Sequence, residues 1–271
     1  MNKDHLYKWK LGNRYYSSRL LHCFGSTKDD KISPEMAVKL IKKSGTEFLT
    51  LYTHTNLNNI RKIDDFLLGY SGLKFADIKD KIDINRYTLL INTDHALSAQ
   101  ETIDKSVYSA SIIGKDTIIK LEVLTKDLKR PNNEKVLHAA SRLTDKGFKV
   151  MALIDKYDIT LAKKLEEIGC LAIRVLLSNI GTGGGFKDEY FFKRITKEIK
   201  IPVIAEGGIR TPDDVYLSIS NGATAALVNR ALFCTKDPIF LIEAMKEASI
   251  SGFKSYLSKK MIDNNKFDID V

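Results

Sequence analysis

The chain has 271 residues, 44% hydrophobic and 28% charged, and 43 Lys and Arg against 34 Asp and Glu give it a net charge of +9. That length suits one large domain or two small ones, and the apolar fraction excludes a disordered or low-complexity chain. No run of about 18 apolar residues occurs, so no membrane helix is expected, and the polar start MNKDHLYKWK lacks the apolar core of a secretion signal.

In chain order, apolar runs at 20–24, 48–52, 88–92, 118–124, 150–154, 172–177, 202–206 and 225–229 predict strands. Amphipathic segments with helical spacing lie between them, opened by caps such as Ser33 before Pro34 and Thr211 before Pro212. Gly45, Gly147, Gly169 and Gly222 close them. The runs are continuously apolar, as in parallel strands covered on both faces. Eight βα units in about 250 residues predict an α/β fold, a single-domain (β/α)8 TIM barrel. The domain is expected to span 1–271, with a core over about 11–260 and a polar, fraying tail at 262–271. A doubly wound sheet would want a Gly-rich first turn, whereas Cys23-Phe24-Gly25-Ser26 is not GxGxxG. The 58–86 segment is too long for one helix and its loops, so an extra helix or insertion is expected there.

In a TIM barrel the chemistry belongs at the C-terminal ends of the strands. Period two puts Lys120 and Glu122 on one face of the fourth strand. Burial favours the neutral amine, while a nearby carboxylate favours the ammonium. A buried lysine with a lowered pKa attacks carbonyls and forms imines; the bland alternative is a structural ion pair. The seventh strand ends Glu206-Gly207-Gly208-Ile209-Arg210, the eighth ends Asn229-Arg230, and the sixth runs into Gly181, Gly183 and Gly185. Three glycine-rich turns on consecutive strands predict a phosphate cup, aided by a helix N-terminus. Glu206 beside the cup is a proton carrier or an anchor for a neighbouring base. Asp94 and His95, after the third strand, and Thr53 and His54, after the second, are candidates to move protons or bind hydroxyls.

The remaining features exclude rather than assign. Histidines without HxH or HExxH spacing argue against a metal site. Cys23, Cys170 and Cys234, far apart and without CxxC spacing, argue against disulfides and for a reducing, cytoplasmic setting. Cys23 is expected to serve packing. The positive balance favours an anionic partner, but the lysines are spread over amphipathic segments, so nucleic acid is not expected.

The Ile119-Lys120-Leu121-Glu122-Val123 strand and the Ile180-Gly181-Thr182-Gly183 loop, with Tyr87 to Thr93, Leu161 to Cys170 and Leu227-Val228-Asn229, follow one another in a familiar order. From about Leu11 to Lys260 the chain resembles the thiazole synthase family of thiamine biosynthesis. The resemblance implies a TIM-barrel transferase, a cytoplasmic homo-oligomer without a resident cofactor. Its substrates would be 1-deoxy-D-xylulose 5-phosphate, dehydroglycine and sulfur from a thiocarboxylated, ubiquitin-like carrier protein. It makes Lys120 the imine-forming lysine and Glu122 its acid–base partner. Gly181, Gly207, Gly208, Asn229 and Arg230 fall on substrate-phosphate positions, and Glu206 stands where the family usually has aspartate. The departures gather at the barrel mouth: Glu206-Gly207-Gly208-Ile209-Arg210 for Asp-Ala-Gly-Ile-Gly, Arg230 for threonine, and Asp94-His95 for small residues. They suggest the same imine chemistry on another sugar phosphate, as in the related 2-thiosugar synthases, with Asp94, His95 and Thr53 reading extra hydroxyls. A non-catalytic barrel that binds a phosphometabolite is the remaining alternative.

Overall fold

Eight of the apolar runs become parallel strands: β3 (Leu20–His22), β4 (Phe48–Tyr52), β5 (Thr88–Asn92), β6 (Ile118–Leu121), β7 (Lys149–Ile154), β8 (Ala172–Leu176), β9 (Val203–Glu206) and β10 (Ala225–Val228). This is a computed structural model that describes residues 7–25, 29–53 and 57–262. Ser26, His54 and the tail from 263 onward lie outside the described residues. The hydrogen-bonded order is β3-β10-β9-β8-β7-β6-β5-β4. Its two ends face each other, with the Cys23 thiol 3.5 Å from Thr50 Oγ1, so the sheet curls into a nearly closed barrel.

Seven α-helices surround it among the described residues: α1 (Pro34–Ser44), α2 (Ala99–Ile113), α3 (Asn133–Asp145), α4 (Ile159–Glu167), α5 (Glu189–Glu198), α6 (Pro212–Ser220) and α7 (Pro238–Met261). The α1 start follows its cap, since Ser33 Oγ accepts from Met36 N at 3.2 Å, and Gly45 ends the helix at φ 67°. Strand alternation sorts the core into two layers. Leu21, Leu90, Ile118, Met151 and Ile204 fill the barrel, while Leu20, Ile91, Ile119 and Ile173 lie under the helices. Each such buried side chain stabilises the fold by about 1.5–3 kcal/mol.

Two segments lie outside the eight βα units. A hairpin, β1 (Trp9–Leu11) with β2 (Arg14–Tyr16), plugs the N-terminal end of the barrel. Its Tyr16 ring stacks on Phe48 at 4.4 Å. Strands of three residues are too short to show a period. The 57–86 segment holds no additional α-helix; it runs through five 3₁₀ turns, because apolar residues such as Phe66, Leu68, Leu73, Phe75 and Ile78 are buried one by one against the barrel without helical spacing.

Candidate active site

Ile118 and Lys120 share the inward face of β6, and the chain leaves the sheet after Leu121, which places Glu122 at the C-terminal rim. Lys120 Nζ lies 2.6 Å from Glu122 Oε1 and 3.0 Å from Glu206 Oε1, which reaches in from the end of β9. Arg174, in the middle of β8, completes the cluster: Nη1 lies 3.1 Å from Glu122 Oε1 and 2.6 Å from Glu206 Oε2. Its Nη2 donates to Leu121 O at 2.6 Å and its Nε to Met151 O at 3.3 Å. Lys120 is 2% and Arg174 0% exposed. Two cations and two carboxylates thus alternate in a largely buried cluster with no net formal charge, and good hydrogen-bond geometry offsets much of their desolvation.

Sequence reasoning passed over Arg174. The signal was present, a lone arginine inside the apolar run AIRVL, but it lies mid-strand and not at a strand end.

The two opposing effects on Lys120 are both present. Burial and Arg174 push the Lys120 amine down, yet Glu122 and Glu206 outweigh them and raise it above its ordinary value. The resting site therefore holds an ammonium, not the neutral amine expected from burial alone. Burial likewise lifts the Glu122 carboxyl, but Lys120 and Arg174 overcome it and hold Glu122 below its ordinary value.

A cavity of about 590 Å³ opens above this cluster. The sequence-predicted Asp94, His95, Lys120, Glu122, Gly181, Glu206, Gly207, Gly208, Asn229 and Arg230 all line it. Gly208 has a left-handed φ of 74°, and a Cβ there would stand 2.9 Å from Ser178 Cβ, so glycine fits where a side chain would be strained. Lys129, Arg210 and Arg230 bring positive charge to the wall. Arg230 faces Gly181, its Cδ 3.6 Å from where a Cβ would be, and Asp237 is engaged elsewhere, accepting from Phe240 N at 2.9 Å as the α7 cap.

Some candidates are placed differently. Asn229 is occupied by the first βα loop: its Oδ1 accepts from Gly25 N at 2.9 Å and its Nδ2 donates to Gly25 O at 3.2 Å. The α6 N-terminus does not serve the cup, because Asp214 Oδ2 already accepts from Arg210 N at 2.8 Å and Thr211 N at 3.0 Å. Thr53 is buried, donates to Asn92 O at 2.8 Å and does not line the cavity, whereas Asp94 and His95 do, beside Asn92, Tyr52 and Tyr70. Cys23 lines the cavity, its thiol donates to Thr50 Oγ1 at 3.5 Å, and burial pushes that thiol above its ordinary value.

Asp94 is the other perturbed acid. Burial pushes its carboxyl up to about 6, against the hydrogen bond that Tyr70 donates to Oδ2. Tyr70 was not visible in the sequence. Among the described residues no cluster of His, Cys, Asp or Glu could hold a metal ion, and no helix is long and apolar enough to cross a membrane.

Fold and site together define a TIM-barrel protein with a buried lysine–carboxylate centre under a basic, glycine-rich mouth. The family model of the thiazole biosynthesis protein ThiG matches residues 10–268, and the chain belongs to that family. The thiazole synthase of Pseudomonas aeruginosa (strain LESB58) is 33% identical over 253 residues, covering 93% of this chain and 89% of the relative. That of Pseudomonas fluorescens (strain Pf0-1) is 34% identical over 254 residues, with 93% and 89% covered. Among solved structures, the Amycolatopsis orientalis BexX/CysO complex is similar at 27% identity and a TM-score of 0.80, covering 94% of this chain and 97% of that one. The chain is accordingly an enzyme of the thiazole synthase family.

Proposed function

We propose that Lys120 condenses with the keto group of a sugar phosphate and that the enzyme then inserts sulfur delivered by a thiocarboxylated carrier protein. The observation that carries this reading is the Lys120 ammonium held within 3.0 Å of two carboxylates at the base of a basic cavity. The ammonium passes its proton to Glu206 or Glu122, and the freed amine attacks the carbonyl carbon. The carbonyl oxygen takes up one proton from the carboxylic acid so formed and a second that the newly bonded nitrogen gives up through the same carboxylate, and it leaves as water, giving the iminium. A carboxylate then removes the proton from the neighbouring carbon and returns it one position away, which moves the carbonyl along the chain. The carrier thiocarboxylate sulfur adds to the new carbonyl carbon, whose oxygen takes a proton; the carrier acyl group then passes from sulfur to that oxygen and leaves with it as the carrier carboxylic acid, so the sulfur stays on the sugar carbon. Arg230, Arg210 and the Gly207–Gly208 turn hold the phosphate.

The family makes 1-deoxy-D-xylulose 5-phosphate the first substrate to test, and the transferase assignment rests on this scheme. That BexX was solved in complex with a second protein, CysO, supports a protein partner docking on this barrel. A second reading, another sugar phosphate, is favoured by the carboxylate of Asp94 in the cavity wall.

The test is borohydride reduction in the presence of the sugar phosphate, followed by intact mass. The wild-type chain is expected to gain the mass of the reduced adduct and Lys120→Arg to gain none, since a guanidinium stays charged. An adduct on Lys120→Arg would remove the lysine from its role.

A further inference from the structure

The 57–86 segment builds part of the cavity that no barrel strand supplies. Its middle folds back on itself, with Leu68 N donating to Leu73 O at 2.9 Å and Phe75 N to Phe66 O at 2.8 Å. Tyr52 N donates to Leu67 O at 2.8 Å, which fastens this fold to β4. At the tip, Gly69 packs on the first βα loop so closely that a Cβ would stand 1.7 Å from Phe24 O. Only glycine allows that approach, and it seats the next residue, Tyr70, over the barrel mouth.

Tyr70 meets Tyr52 edge-on at 5.8 Å and stacks on the His95 ring at 4.6 Å. His95 adopts the left-handed φ of 56°, uncommon for a residue with a side chain. The Tyr70 hydroxyl donates to Asp94 Oδ2. Asp94 is 3% exposed, and its other oxygen, Oδ1, has no hydrogen-bond partner among the described residues. Two residues earlier on the same wall, the buried Asn92 Oδ1 has none either. Both residues line the cavity, and Asn92 stands beside Lys120 in the β5–β6 register.

Buried acceptors without donors are costly, so two of them side by side call for a ligand that brings O–H groups. Their position says which end of the ligand. The glycine cup is built by the turns after β8, β9 and β10, and in the nearly closed barrel β9 stands four strands from β5 in either direction. A molecule with its phosphate in the cup and its carbonyl at Lys120 presents its far end to Asn92 and Asp94.

We propose that Asp94, positioned by Tyr70 and assisted by Asn92, is the subsite that reads a hydroxyl at the non-phosphate end of the substrate. The enzyme then takes a ketose phosphate with a hydroxylated C1 in preference to a 1-deoxy one. The proposal rests on the reading of Lys120 as the carbonyl-binding group, because that fixes which end reaches Asp94. A C1 hydroxyl donates to Asp94 Oδ1, whereas a methyl leaves that oxygen buried and unsatisfied.

The experiment compares two pairs of probes on the full chain. Calorimetry measures binding of xylitol 5-phosphate and 1-deoxyxylitol 5-phosphate, which form no imine; borohydride trapping uses D-xylulose 5-phosphate and 1-deoxy-D-xylulose 5-phosphate. In the wild type the C1-hydroxyl compound of each pair is expected to be favoured by about 10- to 100-fold, the scale of one unsatisfied buried polar group. Asp94→Ala is expected to bring the ratio close to one, and Tyr70→Phe to narrow it while leaving the phosphate-driven affinity in place. A wild-type binding ratio near one overturns the proposal, whatever the variants do. A ratio that Asp94→Ala leaves intact overturns it as well. Discrimination in binding with no trapped adduct would instead support the subsite and remove the imine reading.

Discussion

Arg174→Met tests whether the buried quartet is held together as described. Methionine fills a similar volume without charge. In the wild type the guanidinium donates to Leu121 O, Met151 O, Glu122 Oε1 and Glu206 Oε2 at 2.6–3.3 Å. Without it two backbone carbonyls lose a donor, and two buried carboxylates are left to share the single charge of Lys120. Breaking a buried ion pair from one side costs about 3–5 kcal/mol, roughly 6–20 °C in Tm for a chain of this size. The pH dependence follows from Glu122, whose folded pKa lies below its ordinary 4.5 because Lys120 and Arg174 overcome burial. A depressed carboxyl contributes stability above its unfolded pKa and loses it as pH falls through the folded value. Removing Arg174 weakens that contribution, so the deficit should be fully present at neutral pH and shrink in acid. Thermal melts across pH 2–8 read both quantities, because the Glu122 contribution is lost as pH falls from 4.5 towards about 2. A neutral-pH Tm within about 2 °C of wild type, or a deficit that grows in acid, would refute the assignment of Arg174 as the clamp on the two carboxylates.

The proposed proton carriers and the proposed phosphate cup give two more tests. Glu122→Gln and Glu206→Gln are each expected to slow turnover about 10²–10⁴-fold; a near-normal rate in either would make that residue structural. Arg230→Thr, which restores the residue usual in the family, should lower kcat/KM by the equivalent of about 1.5–3 kcal/mol, the scale of a charged hydrogen bond. Unchanged kinetics would leave the phosphate to Arg210 and the glycine turns.

The barrel was legible because parallel strands buried on both faces read as short continuous apolar runs, and helix caps mark the intervals. Lys120 and Glu122 were legible for the same reason, as charges interrupting such a run near its C-terminal end. Their protonation was not. It depends on Glu206, 86 residues away from Lys120 in sequence, and on Arg174, 52 residues from Glu122. Arg174 interrupts an apolar run just as Lys120 does, but it sits mid-strand, where a search of strand ends does not reach. The meeting of the glycine-rich turns around one cavity was legible from their glycines, although the expected helix N-terminus is capped by Asp214 and Asn229 is tied to Gly25. Tyr70 was beyond reach, since the 57–86 segment has no period, and only the close packing of Gly69 on Phe24 decides where its neighbour points.

Asp94 separates a residue kept for the fold from one kept for a ligand. A carboxyl buried for structural reasons is paired, and its pKa falls; burial instead lifts Asp94 from 3.8 to about 6, with Tyr70 only partly compensating. A raised carboxyl binds its proton more tightly in the folded chain, so above about pH 6 the ionised form costs folding free energy, and this cost disappears as pH falls from there towards 3.8. The gap corresponds to about 3 kcal/mol at most. Asp94→Asn removes the charge, keeps the shape and still accepts from Tyr70. It is therefore expected to melt above wild type at neutral pH and to lose that advantage near pH 4, as thermal melts over that range will read. A variant less stable than wild type at neutral pH would make Asp94 part of the scaffold. The expected gain would mean that the chain carries an ionised, half-satisfied carboxylate at a cost to its own stability, which is sensible only where a substrate supplies the missing donor.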